Sequence, residues 1–195
     1  SWCLIRSAVA ALEQGLNVGI YSGEMSARKV GYRFDTLVSH ISNYGITKGR
    51  DGLQNQYKMY IDDLCNRFDG SIKVLTPQDI DGPAGVTALR AFIEKEHLDI
   101  LFVDQHSLLE DDKRGRTPIE KASNISKDLK NLQVLKHIPI IAVSQQNRNA
   151  TEDGAVIDVS KIAQADRIGQ DSTAVLFFEQ KDNVLTMHIA KSRDS

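Results

Sequence analysis

Three apolar runs, each followed directly by polar side chains, constrain the fold of this chain more than any other feature. The runs end at Gly23-Glu24, Asp104-Gln105 and Ser144-Gln145. Amphipathic segments separate them, which is the pattern of parallel strands that are buried on both faces and joined by helices. Open sheets of this kind bind ligands at the carboxyl ends of their strands. We therefore predict an α/β fold whose functional site lies where these polar residues emerge.

The remaining elements are predicted from apolar spacing and from turn residues. The chain opens inside a helix that Gly15 ends, and Ser26 caps the next helix. Further helices are predicted at 52–68, from Val86 onward, and from Thr117 onward; strands at 72–75, 173–179 and 184–191; a hairpin turn at 180–183; and a long mobile loop at 147–165. The helix after Thr117 is expected to turn six residues inward: Ile119, Ala122, Ile125, Leu129, Leu132 and Leu135. We predict one domain over 1–195, with a mostly parallel central sheet and antiparallel edge strands.

Composition excludes several classes of protein. The 195 residues are 41% hydrophobic and 26% charged, with a net charge of −2, so any nucleic-acid contact has to use local loops. No signal peptide, HExxH motif or membrane-length apolar run occurs. Cys3 and Cys65 lack the spacing of metal ligands, and we expect buried free thiols, as in a cytoplasmic protein without a membrane partner.

Three polar residues at the predicted strand ends have types suited to phosphate chemistry. Asp104 follows four apolar residues and suits direct or water-mediated binding of Mg²⁺, although such an aspartate also commonly starts a turn. Glu24 suits polarising a water for attack on a phosphate, or is simply an exposed acid after a strand. Gln145 suits sensing a γ-phosphate, or bonding to nearby backbone. Together these residues favour a nucleotide hydrolase.

Two cations near the end of the chain, Lys191 and Arg193, share a face of the last predicted strand because strand side chains alternate. They are either a solvated basic tail or a pair that reaches the nucleotide of a neighbouring subunit. The phosphate-binding motif GxxxxGK[ST] does not occur in these residues. It would belong immediately before the first helix, where this sequence begins. We therefore expect the domain to be incomplete at both ends and residues 1–195 to bind ATP poorly.

Five segments in this order resemble the RecA-type motor domain of the DnaB family of replicative helicases, especially its phage and prophage branch. They are Tyr21-Ser22-Gly23-Glu24-Met25-Ser26, Ile100-Leu101-Phe102-Val103-Asp104, Ser144-Gln145-Gln146-Asn147-Arg148, Arg167-Ile168-Gly169-Gln170-Asp171 and Lys191-Ser192-Arg193. The resemblance covers nearly the whole chain and implies a RecA-like three-layer fold. It implies a catalytic glutamate at Glu24, a Walker B aspartate at Asp104 and a glutamine sensor at Gln145. Ser1 would then belong to, or adjoin, the end of a Walker A loop and contact the nucleotide.

The same resemblance implies a homo-hexameric ring of the 5′–3′ class that moves along single-stranded DNA using ATP and Mg²⁺, with primase and a helicase loader as partners. Lys191 and Arg193 would act on the ATP of a neighbouring subunit. The loops after Asp104 and Gln145 would face the central channel. Four basic residues of these loops then either contact DNA or remain solvated: Lys113, Arg114, Arg116 and Arg148. The sequence Gln105-His106-Ser107 departs from the aromatic-leucine-glutamine that is usual in the family.

Two other functions remain open at this stage. A recombinase or clock-type RecA relative shares the sheet, the glutamate and the Walker B strand. A binding module that has lost its nucleotide site would fit the missing phosphate loop. Unwinding of a forked duplex separates a helicase from the first alternative, and nucleotide binding separates it from the second.

Overall fold

The computed structural model describes residues 2–49, 52–145 and 166–193. Ser1, Arg148 and the loop predicted at 147–165 lie outside the described residues. The helices are α1 Trp2–Leu12, α2 Ala27–Ser39, α3 Asn43–Lys48, α4 Gln54–Arg67, α5 Val86–Glu96, α6 Pro118–Lys136 and α7 Asp166–Asp171. The strands are β1 Val18–Ser22, β2 Ile72–Leu75, β3 Ile100–Asp104, β4 Ile140–Ala142, β5 Ala174–Lys181 and β6 Val184–Ser192. None of the helices in the described ranges is both long and apolar enough to cross a membrane.

The central sheet has four strands in the order β2-β1-β3-β4, and all three pairings are parallel. This arrangement confirms the predicted α/β fold with a mostly parallel sheet. Strands β5 and β6 pair antiparallel with each other in a second sheet of two strands. Their turn is formed by Asp182 and Asn183, both with positive φ (49° and 63°), as a two-residue hairpin loop of the primed kind requires.

Helices cover both faces of the sheet because residues of β1 and β3 alternate between two cores. Val18, Ile20, Ile100 and Phe102 pack with α1, α2 and Tyr60 of α4. Tyr21, Leu101 and Val103 pack with α5 and α6 on the opposite face. Every residue of β1 and β3 is buried, as predicted for strands covered on both faces.

The prediction of burial on both faces is wrong for β4. Ile140 is half-buried, and Ile141 and Ala142 are exposed. The cause is position rather than sequence, because β4 is the last strand of the sheet within the described residues and only β3 pairs with it. Its apolar run is as long as the others, so local pattern could not distinguish an edge strand from a central one.

Three smaller expectations are also corrected. Ile119 and Leu135 of α6 are 71% and 58% exposed, because they lie in the first and last turns, while the four other apolar residues expected inward are buried. Cys3 is a free thiol as expected, but it is exposed. The short helix α3 lies where no helix was expected; its start is capped by the Ser42 hydroxyl, which accepts a hydrogen bond from the Gly45 amide (3.4 Å).

Candidate nucleotide site at the carboxyl ends of the strands

The ends of β1 and β3 are held together by backbone hydrogen bonding. Ser22 pairs with Asp104 in the parallel ladder, and the Gly23 amide donates to the carbonyl oxygen of Asp104 (2.7 Å). The Ser22 hydroxyl accepts from the Met25 amide (3.1 Å), which fixes the turn that carries Glu24. The structure therefore brings together the segments that carry Glu24 and Asp104, with Glu24 exposed to solvent.

Gly23 is required for this close approach. An added Cβ would lie 2.9 Å from Cβ of Leu108 and 3.4 Å from the Tyr21 hydroxyl. Leu108 belongs to the single 3₁₀ turn His106–Leu108 that follows Asp104. The glycine thus lets the turn before Glu24 pack directly against the turn after Asp104.

The carboxylate of Asp104 is buried, and hydrogen bonds from the described part of the protein do not satisfy both of its oxygens. The residue is 3% exposed, and its Oδ2 atom has no hydrogen-bond partner among the described residues. Burial raises the pKa of Asp104, the nearby charge of Glu24 raises it further, and Arg33 opposes the shift. A buried carboxylate oxygen that lacks a protein donor is suited to a cation or to an ordered water.

Arg33 is a residue near this site that sequence reasoning missed. It lies on α2, and its guanidinium carbon is 5.2 Å from the ring centroid of Trp2, at the start of α1. Its charge also acts on Asp104. The spacing of α2 could have identified Arg33, because it follows Val30 by three residues and therefore lies on the same helical face as the buried residues Val30 and Phe34. A cation on an apolar face suggests a specific partner.

Gln145 emerges at the same edge of the sheet. The Val143 amide donates to the Val103 carbonyl (3.0 Å), and the His106 amide donates to the Val143 carbonyl (2.8 Å). These two bonds extend the β3–β4 pairing to a point two residues before Gln145. The side chain of Gln145 is exposed, and no hydrogen bond joins it to Asp104 or Glu24 within the described part of the chain.

The two residues after Asp104 are buried, and the Asp104–Gln105 peptide bond is cis. The Gln105 side chain donates to the hydroxyl of Ser107 (2.6 Å). Burial lowers the pKa of His106 to about 4, so its imidazole is neutral at physiological pH. A single 3₁₀ turn, His106–Leu108, thus follows directly after Asp104.

Lys113, Arg114 and Arg116 lie in the loop before α6, and none of the three is buried. The Lys113 ammonium forms an ion pair with Asp128 of α6 (2.5 Å). Neither arginine side chain forms an ion pair or hydrogen bond to any described residue. Of the three predicted DNA-contact residues in this loop, Lys113 is therefore neutralised by a carboxylate, whereas Arg114 and Arg116 form no ion pair with a described residue.

Lys191 and Arg193 point toward the same structural element, as strand alternation predicts. The Lys191 ammonium donates to the carbonyl oxygens of Gly169 (2.5 Å) and Gln170 (3.1 Å), and Arg193 also donates to the Gln170 carbonyl. These carbonyls lie in α7, whose residue Asp171 accepts a hydrogen bond from Ser126 of α6 (2.9 Å). The pair is thus held at one helix end. Neither cation has a polar contact with Glu24 or Asp104 in the ranges that the structure describes.

Burial lowers the pKa of Lys191, and the charges of Arg193 and Lys130 lower it further, whereas Asp171 raises it. The charges of Arg193, Asp171 and Lys130 therefore all act on Lys191.

Comparisons with known proteins identify the family and the fold of this chain. Residues 3–194 match the sequence profile of the DnaB-like helicase C terminal domain. A probable plasmid replicative DNA helicase of Chlamydia psittaci is 27% identical over 88% of this chain and 37% of its own length. The replicative DNA helicase DnaB of Rickettsia prowazekii is 27% identical over 87% of this chain and 35% of its own length. The chain therefore spans about a third of the length of these curated relatives.

Two solved structures share the fold. One, described as a DnaB-like replicative helicase and its interactions with primase, superposes with a TM-score of 0.85 at 20% identity, over 100% of this chain and 49% of that chain. The other, described as an ATPase domain, also has a TM-score of 0.85, at 19% identity, over 99% of this chain and 72% of that chain. At these identities the likeness shows a common fold, and it confirms the predicted RecA-like architecture.

Proposed function

The chain belongs to the DnaB-like helicase C terminal domain family, and from this premise we propose that it is the motor domain of a replicative DNA helicase. In the full-length protein, the domain that contains residues 1–195 hydrolyses ATP to move along single-stranded DNA and separate duplex strands in the cytoplasm. One observation carries the proposal: the buried carboxylate of Asp104, with an unpartnered oxygen, is fixed beside the turn that carries Glu24.

Asp104 fits a magnesium-binding role. Mg²⁺ is usually held by one or two carboxylates, and water and substrate phosphates complete its shell. No group of three His, Cys, Asp or Glu residues in the described ranges could hold a metal ion alone. A single orphaned carboxylate oxygen supports this shared mode of binding. Bound Mg²⁺ would neutralise charge on the β- and γ-phosphates.

Glu24 is the general base of the proposed reaction. It is exposed, so it can hold the attacking water, and Ser22 and Gly23 fix its backbone against β3. Gln145 reports the γ-phosphate to the segment that follows it. Arg33 balances the negative charge of Asp104 from the side of α2. Ser1 contributes to binding of the nucleotide.

Lys191 and Arg193 act on the nucleotide of a neighbouring subunit. Their contacts with the carbonyl oxygens of Gly169 and Gln170 support this role, because they hold both cations together at α7, and neither cation has a polar contact with Glu24 or Asp104 among the described residues. Cations supplied from a neighbour stabilise the charge that develops during phosphoryl transfer. This requires a ring, and we propose a homo-hexamer that binds primase and a loader.

Single-stranded DNA is bound by loops, since the net charge of −2 provides no general attraction. Lys113, Arg114 and Arg116 in one loop and Arg148 in the other are the proposed phosphate contacts. Three of the four lie in a loop that starts within a few residues of Asp104. Movement of DNA can therefore be coupled to the state of the nucleotide.

Unwinding by the full-length protein tests this proposal. A fluorescently labelled forked duplex with a free 5′ tail is incubated with ATP and Mg²⁺, and strand separation is followed over time. We expect separation with ATP and none with a non-hydrolysable analogue, and a fork with only a 3′ tail serves as the polarity control. Filament formation on single strands without unwinding would favour a recombinase relative. Absence of nucleotide binding would favour a binding module.

A further inference from the structure

The loop between β3 and α6 is organised by one buried carboxylate. Asp111 is 5% exposed, and its Oδ1 atom accepts from the Lys113 amide (3.0 Å). Its Oδ2 atom accepts from the Gly115 amide (2.7 Å) and from the Asn124 side chain of α6 (2.9 Å). Burial alone would raise the pKa of Asp111, but these hydrogen bonds outweigh it and hold the pKa below its usual value. Both oxygens of Asp111 thus accept loop or α6 donors.

The loop is also tied to α5. The Oδ2 atom of Asp112 accepts from the Thr87 amide (2.8 Å) and from the Thr87 hydroxyl (2.9 Å), in the first turn of that helix. The preceding N-cap residue is Gly85, which has no side chain to satisfy these amides. A Cβ at Gly85 would lie 1.8 Å from Oδ1 of Asp112, so the absence of a side chain also makes room for the aspartate.

A third contact joins the end of the loop to α6. The Glu120 carboxylate accepts from the Arg116 amide (2.8 Å), and the Thr117 hydroxyl accepts from the Glu120 amide (3.1 Å). The loop backbone from Asp111 to Arg116 is therefore fixed against two helices before any ligand binds.

The basic side chains of this loop differ in whether they are paired with an acid. Lys113 is paired with Asp128, whose side chain is 19% exposed. Arg114 has a positive φ of 54°, and its amide donates to the Asp111 carbonyl (3.0 Å), so its direction is set by the turn around Asp111. The side chains of Arg114 and Arg116 make no polar contact with the described residues.

We propose that Asp111 is a positioning residue for DNA, which fixes the loop so that Arg114 and Arg116 contact the phosphate backbone, while Asp128 neutralises Lys113. This inference rests on the proposed function, because it concerns the single-stranded DNA of the motor. It narrows the predicted contacts of this loop from three to two. It also assigns a role to Asp111, an acid within a segment expected to bind an anion.

Preorganisation is the physical reason for such a role. A loop that is ordered only on binding loses affinity to the entropy of ordering it, whereas a loop fixed beforehand does not. An acid near a phosphate would normally repel it, but the charge of Asp111 is buried and satisfied by three donors of the protein. Its effect on DNA is therefore exerted through geometry.

Salt dependence separates phosphate contacts from other contributions. Each contact with single-stranded DNA adds about 0.7 to the slope of log affinity against log salt, which is about 2.6-fold in affinity between roughly 50 and 200 mM. Binding of the full-length protein to labelled oligothymidine, with a non-hydrolysable ATP analogue and Mg²⁺, gives this slope by fluorescence anisotropy.

We expect Arg114→Ala and Arg116→Ala each to reduce the magnitude of the slope by about 0.7, and Lys113→Ala to change it little. Asp128→Ala, which frees Lys113, should raise affinity and steepen the slope. Asp111→Asn should reduce the slope as the arginine variants do. The asparagine side chain has one oxygen acceptor, so it cannot replace both Oδ1, which accepts from Lys113, and Oδ2, which accepts from Gly115 and Asn124. Asp112→Asn is the matched control, since one amide oxygen can still accept both bonds from Thr87, and its slope should stay near that of the wild type.

Asp35→Asn controls for lost stability alone, because Asp35 bonds Tyr57 and Tyr60 in the contact between α2 and α4. If the protein still unwinds the fork, either of two results would overturn the inference alone. One is a wild-type slope for Asp111→Asn, and the other is a slope for Lys113→Ala as low as that of Arg114→Ala. A protein that neither binds oligothymidine nor unwinds the fork would overturn the proposed function as well.

Discussion

Replacing Asp104 with asparagine should stabilise the protein in the absence of Mg²⁺. The carboxylate is 3% exposed and one of its oxygens has no partner among the described residues, so the wild type bears an uncompensated cost of desolvation. An unsatisfied buried polar group costs about 1–3 kcal/mol, and a charged group costs more. We expect Asp104→Asn to recover about 1–3 kcal/mol, since the neutral amide of similar shape is cheaper to bury.

Unfolding in urea with EDTA, and then with Mg²⁺, measures this effect. For a domain of this size each kcal/mol corresponds to about 2–4 °C in melting temperature, so thermal unfolding should also resolve it. Mg²⁺ at about 100 times its dissociation constant should stabilise the wild type by about 2.7 kcal/mol. The variant should gain much less, because the ligand oxygen has been replaced. The difference in free energy of unfolding between the variant and the wild type should therefore become smaller, or change sign, when Mg²⁺ is added.

Two results would refute this reasoning. If Asp104→Asn is less stable than the wild type in EDTA, the carboxylate is not the uncompensated group that its burial indicates. If Mg²⁺ stabilises both proteins equally, Asp104 does not bind the ion. Asp99→Asn, at the other end of β3, is a control for the substitution itself, because that carboxylate is exposed and accepts from the Asn17 amide (2.8 Å).

Further substitutions test the packing around the site. Gly23→Ala should destabilise the protein by about 1–3 kcal/mol in urea, because its Cβ meets Leu108 at 2.9 Å and the backbone of a turn has to move. Gly31→Ala, which meets no atom within 4 Å, is its control and should be neutral or better. Tyr21→Phe should cost about 1–3 kcal/mol, since it leaves the buried Ala84 amide without its acceptor at 3.0 Å; an unchanged urea midpoint would show that this amide finds another partner.

The central strands and their order along the chain could be predicted because their information is local. Runs such as Ile100–Asp104 are apolar at nearly every position, and that pattern alone identifies a strand covered on both faces. The edge position of β4 could not be predicted, because its run looks the same and only pairing with β3 distinguishes it. Helix α3 escapes prediction because six residues with few apolar positions give no periodicity.

The site was predicted in part for the same reason. The placement of Glu24, Asp104 and Gln145 follows from the strand ends. The Lys113–Asp128 pair joins residues 15 apart, and the effect of Arg33 on Asp104 joins residues 71 apart. Contacts of this kind depend on how helices pack on the sheet, which a single sequence does not encode in any local pattern.

ATP turnover by Glu24→Gln tests the central claim most directly. The chain has one tryptophan, Trp2, which is 43% exposed and lies against Arg33, whose charge acts on Asp104, so its fluorescence is used to follow nucleotide binding. In the full-length protein with single-stranded DNA, we expect Glu24→Gln to bind ATP with near wild-type affinity and to lose about 10²–10⁴-fold in turnover, the usual contribution of a general base. Wild-type turnover by this variant would contradict the account, because the strand ends would then not form the hydrolytic site.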